Sequence, residues 1–238
     1  MPTKLSGYPN SFPLPLMASS AIKESDLGAQ AADGARKFRY VKAGGTAIVP
    51  GKLQQSPAAV DNHKNLACAA AAIGATQVTV TLGATAATAN QYAEGYLIIN
   101  DATGEGYTYK IKSHPAAALS TALVVTLEDP IVLALDTNSE ASLVANPYNG
   151  VIVNPTTGSA APIGMGIYPI PAGEYGWVQT FGVVSGLADG APAAGAQLSA
   201  SNAVAGAVES EVAGQANVGR AIVAGVDTEY RAIFIDLD

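Results

Sequence analysis

Apolar and polar positions alternate with a period of two in several short runs along this chain, the pattern of strands and not of helices. The fullest run lies in Ile163 to Leu187, where Trp177, Gln179, Phe181 and Val183 alternate with Val178, Thr180, Gly182 and Val184. Both sets are largely apolar, so this strand is predicted to be covered on both sides, within one subunit or by a neighbour. Pro171-Ala-Gly173 ahead of it reads as a turn, with proline presetting the first central φ.

The same pattern organises the rest of the chain. Residues 1 to about 35 carry Pro2, Pro9, Pro13 and Pro15 without periodicity and read as an extended arm ordered by contact. Arg36-Lys-Phe-Arg-Tyr-Val-Lys42 predicts a strand with a basic edge, since lysine and arginine blunt edge pairing. The turn Ala43-Gly-Gly45 and a second strand around Ala47 to Val49 follow. Alanine-rich Asn65 to Gly74 fits either a short helix or a tightly packed strand. Val78, Val80 and Leu82 mark a strand. Tyr96 to Asn100 and Tyr107 to Lys112, joined by a glycine-bearing loop, mark a hairpin. Further strands are predicted at Leu123 to Leu127, Ile131 to Leu135, Val151 to Val153, Val218 to Ala224 and Tyr230 to Leu237. In the last, Ile233, Ile235 and Leu237 share one face, and Tyr230, Phe234 and Asp236 the other. Pro155 to Pro162 reads as a linker. The expectation is an all-β chain of barrel or sandwich modules: an arm at 1–35, a β-rich module at 36–158 and a barrel-like module at 159–238.

Composition adjusts this picture. Hydrophobic residues reach 49% but aromatics only 6% of the 238 residues. Alanine and valine bury little area each, which places weight on backbone pairing and on partner subunits. The net charge of -7 argues against general nucleic-acid or membrane-surface binding. Charge is uneven, with eight Lys and Arg against four Asp and Glu in residues 1–64 and four against fifteen beyond. A basic first third on an acidic body fits head-to-tail complementarity or docking on an acidic surface. Arginines and lysines interleaved with Phe38 and Tyr40 also occur on nucleic-acid surfaces, but this motif is short and the chain acidic. Cys68 is the single cysteine and is expected as a small buried hydrophobe. No run of about 20 apolar residues is present to span a bilayer as a helix. Phe12-Pro-Leu-Pro-Leu-Met17 makes a poor signal-peptide core.

No residue pattern in the chain marks a catalytic, cofactor-binding or metal residue. Two histidines and one cysteine exclude the usual zinc sites, and His63 and His114 are expected in turns or at the surface. Asp101, Thr103 and Glu105 share a loop but lack the twelve-residue calcium pattern. Ser185 lacks the glycine two places before it that a nucleophile elbow needs, and Gly164-Met-Gly166 is no dinucleotide fingerprint. Carboxylate pairs such as Glu128-Asp129 or Glu209 and Glu211 are expected as acidic surface.

Ala161-Pro-Ile-Gly-Met-Gly-Ile, Gly173-Glu-Tyr-Gly-Trp-Val-Gln, Asp189-Gly190, Gly195-Ala-Gln-Leu, Val218-Gly-Arg-Ala and Ile233-Phe-Ile-Asp-Leu together form a pattern over residues 160–238. It resembles the head decoration, or capsid cement, proteins of tailed bacteriophages. Upstream, Phe38-Arg-Tyr-Val-Lys, Pro50-Gly-Lys-Leu-Gln-Gln, Gly95-Tyr-Leu-Ile-Ile-Asn-Asp and Gly104-Glu-Gly-Tyr-Thr-Tyr-Lys-Ile resemble proteins encoded near capsid genes in aquatic phages. The resemblance implies a non-enzymatic protein without cofactors on the outer capsid surface of a virion. It implies a homotrimer that binds the major capsid protein and bridges capsomers, with no specific nucleic acid and no membrane as partner. Phe12, Leu14, Leu16, Arg36, Lys37, Arg39, Trp177 and Phe181 are the candidate capsid or subunit contacts. The alternative is a virion- or cell-surface adhesin or carbohydrate-binding β protein, for which Tyr92, Tyr96, Tyr107 and Tyr109 are the candidate aromatic platform, although hairpin core is the commoner place for such tyrosines.

Overall fold

The computed structural model describes residues 14–238. Its strands are β1 (Gln30–Asp33), β2 (Arg36–Ala43), β3 (Leu53–Gln55), β4 (Leu66–Ala67), β5 (Gln77–Thr81), β6 (Tyr96–Asp101), β7 (Thr108–Ser113) and β8 (Ala122–Leu127). They continue as β9 (Glu140–Val144), β10 (Asn149–Val153), β11 (Pro162–Gly166), β12 (Tyr175–Leu187), β13 (Gln197–Ala200), β14 (Val208–Ser210), β15 (Asn217–Ala221) and β16 (Tyr230–Asp236). Among the described residues the helical content is a 3-10 turn at Asp61–His63, so the fold is all-β as expected.

The described residues divide into two compact units, one of residues 14–58 with 147–238 and one of residues 59–146. The smaller unit is a six-stranded sheet in the order β4-β9-β6-β7-β8-β5. A bridge between Cys68 and Val80, with Ala69 N–H donating to Thr79 O at 2.9 Å, brings its two ends together into a nearly closed barrel. The alternation seen in the sequence explains the core: Val78, Val80, Leu97, Ile99, Ile111, Leu123 and Val125 all point into one buried cluster.

The larger unit is built around β12. The first half of β12 pairs with β2 from Tyr175 opposite Lys42 to Phe181 opposite Lys37, and with β11 at Val178 and Gln179. With β10 and β3 these strands form a ring filled by Val41, Ile48, Val151, Ile163, Ile170 and Val178. The second half of β12 pairs with β16 from Phe181 to Leu187. There β16, β15, β13 and β14 return to Ala188 through its bridge to Val208, around Leu198, Val218, Ile233 and Ile235. The change of partner coincides with a register shift between Gln179 and Phe181 and with Gly182 at φ +94°. A Cβ at Gly182 would stand 2.8 Å from the Ala35 carbonyl oxygen, so a side chain there meets both backbone strain and a clash. The Gln179 side-chain amide ties down this bulge, donating to the carbonyls of Phe181 at 3.0 Å and Val183 at 2.9 Å.

Several sequence expectations change. The predicted boundary at Pro155 to Pro162 falls inside one unit, because β10 before it and β11 after it both pair with β3. Residues 59–146 form the compact unit instead, and 36–58 belong with 147–238. The described part of the predicted arm is packed: β1 pairs with β2, Ser20 bridges Tyr175, and Leu14 and Ala31 are buried. Strand β2 is no edge, since β1, β10 and β12 all pair with it. Ile131 to Leu135 and Ala47 to Val49 are not strands but single-bridge segments, with Val132 60% exposed. The alanine-rich stretch resolves as β4 and isolated bridges at Cys68 and Ala71, not a helix. The predicted turn is present, but the bond from Glu174 N–H to Pro171 O at 3.1 Å puts proline at its first corner, with Ala172 and Gly173 central.

Candidate contact surface

The eight candidate contact residues part into three groups. Phe12 lies outside the described residues. Leu14, Leu16 and Trp177 belong to an internal cluster with Phe38, Tyr40 and Ala31 on the face of β2 and β12 opposite the ring interior. Trp177 is fully buried, its indole N–H donates to the Leu14 carbonyl at 3.1 Å, and the Tyr40 ring meets it edge-on at 5.1 Å. Residues 14–29 thus cover this face within the chain, and the Trp177 side chain leaves no surface for a neighbour.

Arg36, Lys37, Arg39 and Phe181 stay near the surface, where the basic groups already have intramolecular partners. Arg39 grips the Asp238 carboxylate with two bonds, Nε to Oδ2 at 2.8 Å and a terminal nitrogen to Oδ1 at 2.5 Å. Thr180 Oγ1 adds a third at 3.1 Å. The Arg39 bonds hold the Asp238 carboxyl below its usual range. Lys37 Nζ donates to the Asp238 backbone carbonyl at 3.2 Å and lies 5.0 Å from the centre of the Phe181 ring. Arg36 pairs with Asp33 three residues earlier and sits 5.4 Å from the Phe38 ring.

Phe181 belongs to an exposed apolar face whose other members were not among the candidate contacts. In the β12–β16 register Phe181, Val183, Ser185 and Leu187 stand opposite Asp236, Phe234, Ala232 and Tyr230, all on one side of the sheet. Val183 is 52% and Tyr230 47% exposed, while Phe181 packs edge-on against Phe234 at 5.0 Å. The loop between β15 and β16 adds Ile222, Val223 and Val226, each exposed, where Ile222 N–H donates to the Ala232 carbonyl at 3.1 Å. Beside this face runs an open groove of ≈ 440 Å³, lined by Met17, Val183, Val184 and Tyr230 with Arg36 and Arg231. The alternation of β16 marked Tyr230 and Phe234 as one face; Val183 was hidden because its own strand is apolar on both sides.

The remaining sites are structural in their contacts. His63 lies in the 3-10 turn and His114 directly after β7, not in a turn, and both are buried, not at the surface, at 0% and 4% exposure. Each is buried because its ring nitrogens find partners: Thr85 O and the Tyr92 hydroxyl for His63, the Tyr92 N–H and Pro115 O for His114. In the Asp101–Glu105 loop, Asp101 accepts from Ala102 N–H at 2.7 Å and Thr103 donates to Asp136 at 2.7 Å. No cluster of three or more metal-ligating side chains occurs among the described residues, and no described helix is long and apolar enough to cross a membrane. The four tyrosines do not make one platform. Tyr92 and Tyr109 are core residues, Tyr96 lies on the outer face, and Tyr107, just before β7, is exposed with its ring stacked at 6.2 Å from that of Tyr109. Comparison with known protein families, curated proteins and solved structures found no match.

Proposed function

We propose that this chain is a non-enzymatic decoration, or cement, protein of a bacteriophage head. It binds the outer surface of the major capsid shell as a homotrimer and stabilises the shell by bridging neighbouring capsomers. The observation that carries this reading is the β12–β16 face, with Val183 and Tyr230 half in solvent beside Phe181 and Phe234. An apolar sheet face of this kind marks an interaction surface. It lies within residues 160–238, the stretch that resembles decoration proteins. Its partly packed aromatics form a rigid platform, and repetition over a lattice turns modest single contacts into strong attachment. The interleaved basic residues support stability of the module more than shell contact, because Arg39 and Lys37 are engaged at Asp238.

The test is co-sedimentation of the purified chain with shells assembled from the major capsid protein of the same genome. Wild-type protein should pellet with the shells. Val183→Asp should bind at least tenfold more weakly with an unchanged circular dichroism spectrum, since a carboxylate buried without a partner is costly. Absence of wild-type binding would refute the function, and full binding by Val183→Asp would remove this face from it. Sedimentation equilibrium should give three times the 23.9 kDa chain mass; a monomer at working concentration refutes the trimer.

A further inference from the structure

Tyr92 of the 59–146 unit is 2% exposed and stands between two imidazoles, with ring centres 5.5 Å from His63 and 5.7 Å from His114. Its backbone N–H donates to His114 Nε2 at 3.0 Å. That bond needs a lone pair on Nε2, so the ring proton sits on Nδ1, which donates to the Pro115 carbonyl at 2.8 Å. At the other end His63 Nε2 meets the Thr85 carbonyl at 2.9 Å, an acceptor, and therefore carries hydrogen. His63 Nδ1 is left to accept the Tyr92 hydroxyl. Asn90 completes the seat: its Oδ1 accepts from the His114 backbone N–H at 3.1 Å, and its own N–H donates to the His114 carbonyl at 3.0 Å. Segment 85–92 is thus held to the strand end beyond β7 by the Asn90 bonds, by the paired Ala87–Ala117 backbone bonds at 2.9 Å and by the Tyr92 N–H bond, and only the last requires His114 to be neutral.

We propose that the His63–Tyr92–His114 stack is an acid-sensitive latch. When His114 takes up a proton from solvent at Nε2, the Tyr92 N–H loses its acceptor, two N–H groups face each other, and the hold on segment 85–92 is loosened at its Tyr92 end while the Asn90 and Ala87 bonds remain. The charges around the ring do not compensate. Burial disfavours the charged ring most, the bond to the Pro115 carbonyl offsets part of that, and the neighbouring His63 adds to the penalty. Asp61 and Lys64, flanking His63, are exposed and paired with each other at 2.7 Å. Lys112, on the strand of His114, is exposed, and Glu94, two residues beyond Tyr92, is half-buried with its N–H bonded to the Ile111 carbonyl at 2.8 Å.

The sign follows from linkage. Burial lowers the His114 pKa in the folded state below its usual 6.5. The latch therefore keeps full strength above 6.5 and weakens as pH falls through the lower folded-state value, by up to about tenfold in the open-to-closed ratio per pH unit. This is independent of what the chain binds.

Hydrogen exchange of the full chain, read by mass spectrometry on peptides covering 85–92 and corrected for intrinsic rates, tests it. Moving from about pH 7.5 to about pH 5 should cut protection in the wild type, by up to about thirtyfold, the most that a ring with an open-state value of 6.5 contributes over that range. His114→Gln, which offers a non-titrating acceptor, should abolish that dependence. Equal wild-type protection at both pH values, or an undiminished dependence in His114→Gln, overturns the latch. If His114→Gln does not fold, nitrogen NMR of the wild-type ring decides. An unprotonated Nε2 near neutral pH that protonates as protection is lost supports the proposal. An Nε2 already protonated near neutral pH, or still neutral when protection is lost, overturns it.

Discussion

Replacing Trp177 by phenylalanine separates a packed segment at 14–29 from a loosely tethered one. Two losses follow from the geometry. The Leu14 carbonyl, which accepts the indole N–H at 3.1 Å, is left in a buried cluster, at a cost of about 1–3 kcal/mol. Exchanging an indole for a phenyl ring gives up on the order of 40 Å² of buried apolar surface, or about 1 kcal/mol. Together these predict a loss of about 3 kcal/mol, a large fraction of the roughly 5–15 kcal/mol that stabilises a domain. The loss should fall on the unit that contains β12, and wild-type Trp177 fluorescence isolates the unfolding of that unit because tryptophan occurs once in the chain. Urea unfolding of the variant is followed by circular dichroism. Tryptic cleavage after Lys23 supplies the local readout, since Leu14 to Trp177, Ser20 to Tyr175 and Glu24 N–H to the Tyr40 hydroxyl pin that segment. Cleavage should accelerate in the variant. A loss under about 1 kcal/mol with unchanged cleavage would refute the reasoning, because it would mean the indole bond and cluster are not holding residues 14–29.

Gly219→Ala should prevent folding or cost more than about 3 kcal/mol, since φ is +146° and a Cβ would lie 2.0 Å from the Phe234 carbonyl oxygen; Gly158→Ala, with open space around it, should stay within about 0.5 kcal/mol in the same urea assay. Asp238→Asn should lower stability near neutral pH and flatten the acid limb. The lowered carboxyl pKa means its contribution is present above the usual 3.8 and lost as pH falls through the folded-state value, which acid titration followed by fluorescence checks. Cys68 is buried, and desolvation pushes its thiol up to about 11, so a thiol reagent near pH 8 should leave native protein unmodified and label it fully in denaturant.

Local patterning carried much of the secondary structure. The period of two located β5, β6, β7, β8, β12, β15 and β16 and sorted Ile233 and Ile235 from Tyr230, because alternation on a pleated strand depends only on neighbouring residues. It failed at Ile131 to Leu135, where an apolar run lacks a continuous partner and only Leu135 forms a bridge. The histidines were misplaced because burial of a polar ring depends on acceptors and donors brought from residues 85, 92 and 115, which no local pattern announces.

The candidate surface was legible only in part. Residue type marked Phe181 and the basic residues of β2 as candidates, and strand parity marked Tyr230 and Phe234. The sequence by itself determined that the chain is all-β, that the strand around Trp177 is covered on both sides in its first half, though not at Val183, and that Cys68 is a buried small residue. Only the tertiary structure decided that both sides of Trp177 are covered from within the chain, that Arg39 is engaged by Asp238 and that 59–146 form a unit of their own. The physical reason is range. Alternation is a property of adjacent residues, whereas strand partners and ion pairs join positions up to 199 residues apart, and their register is set by packing that no short window contains.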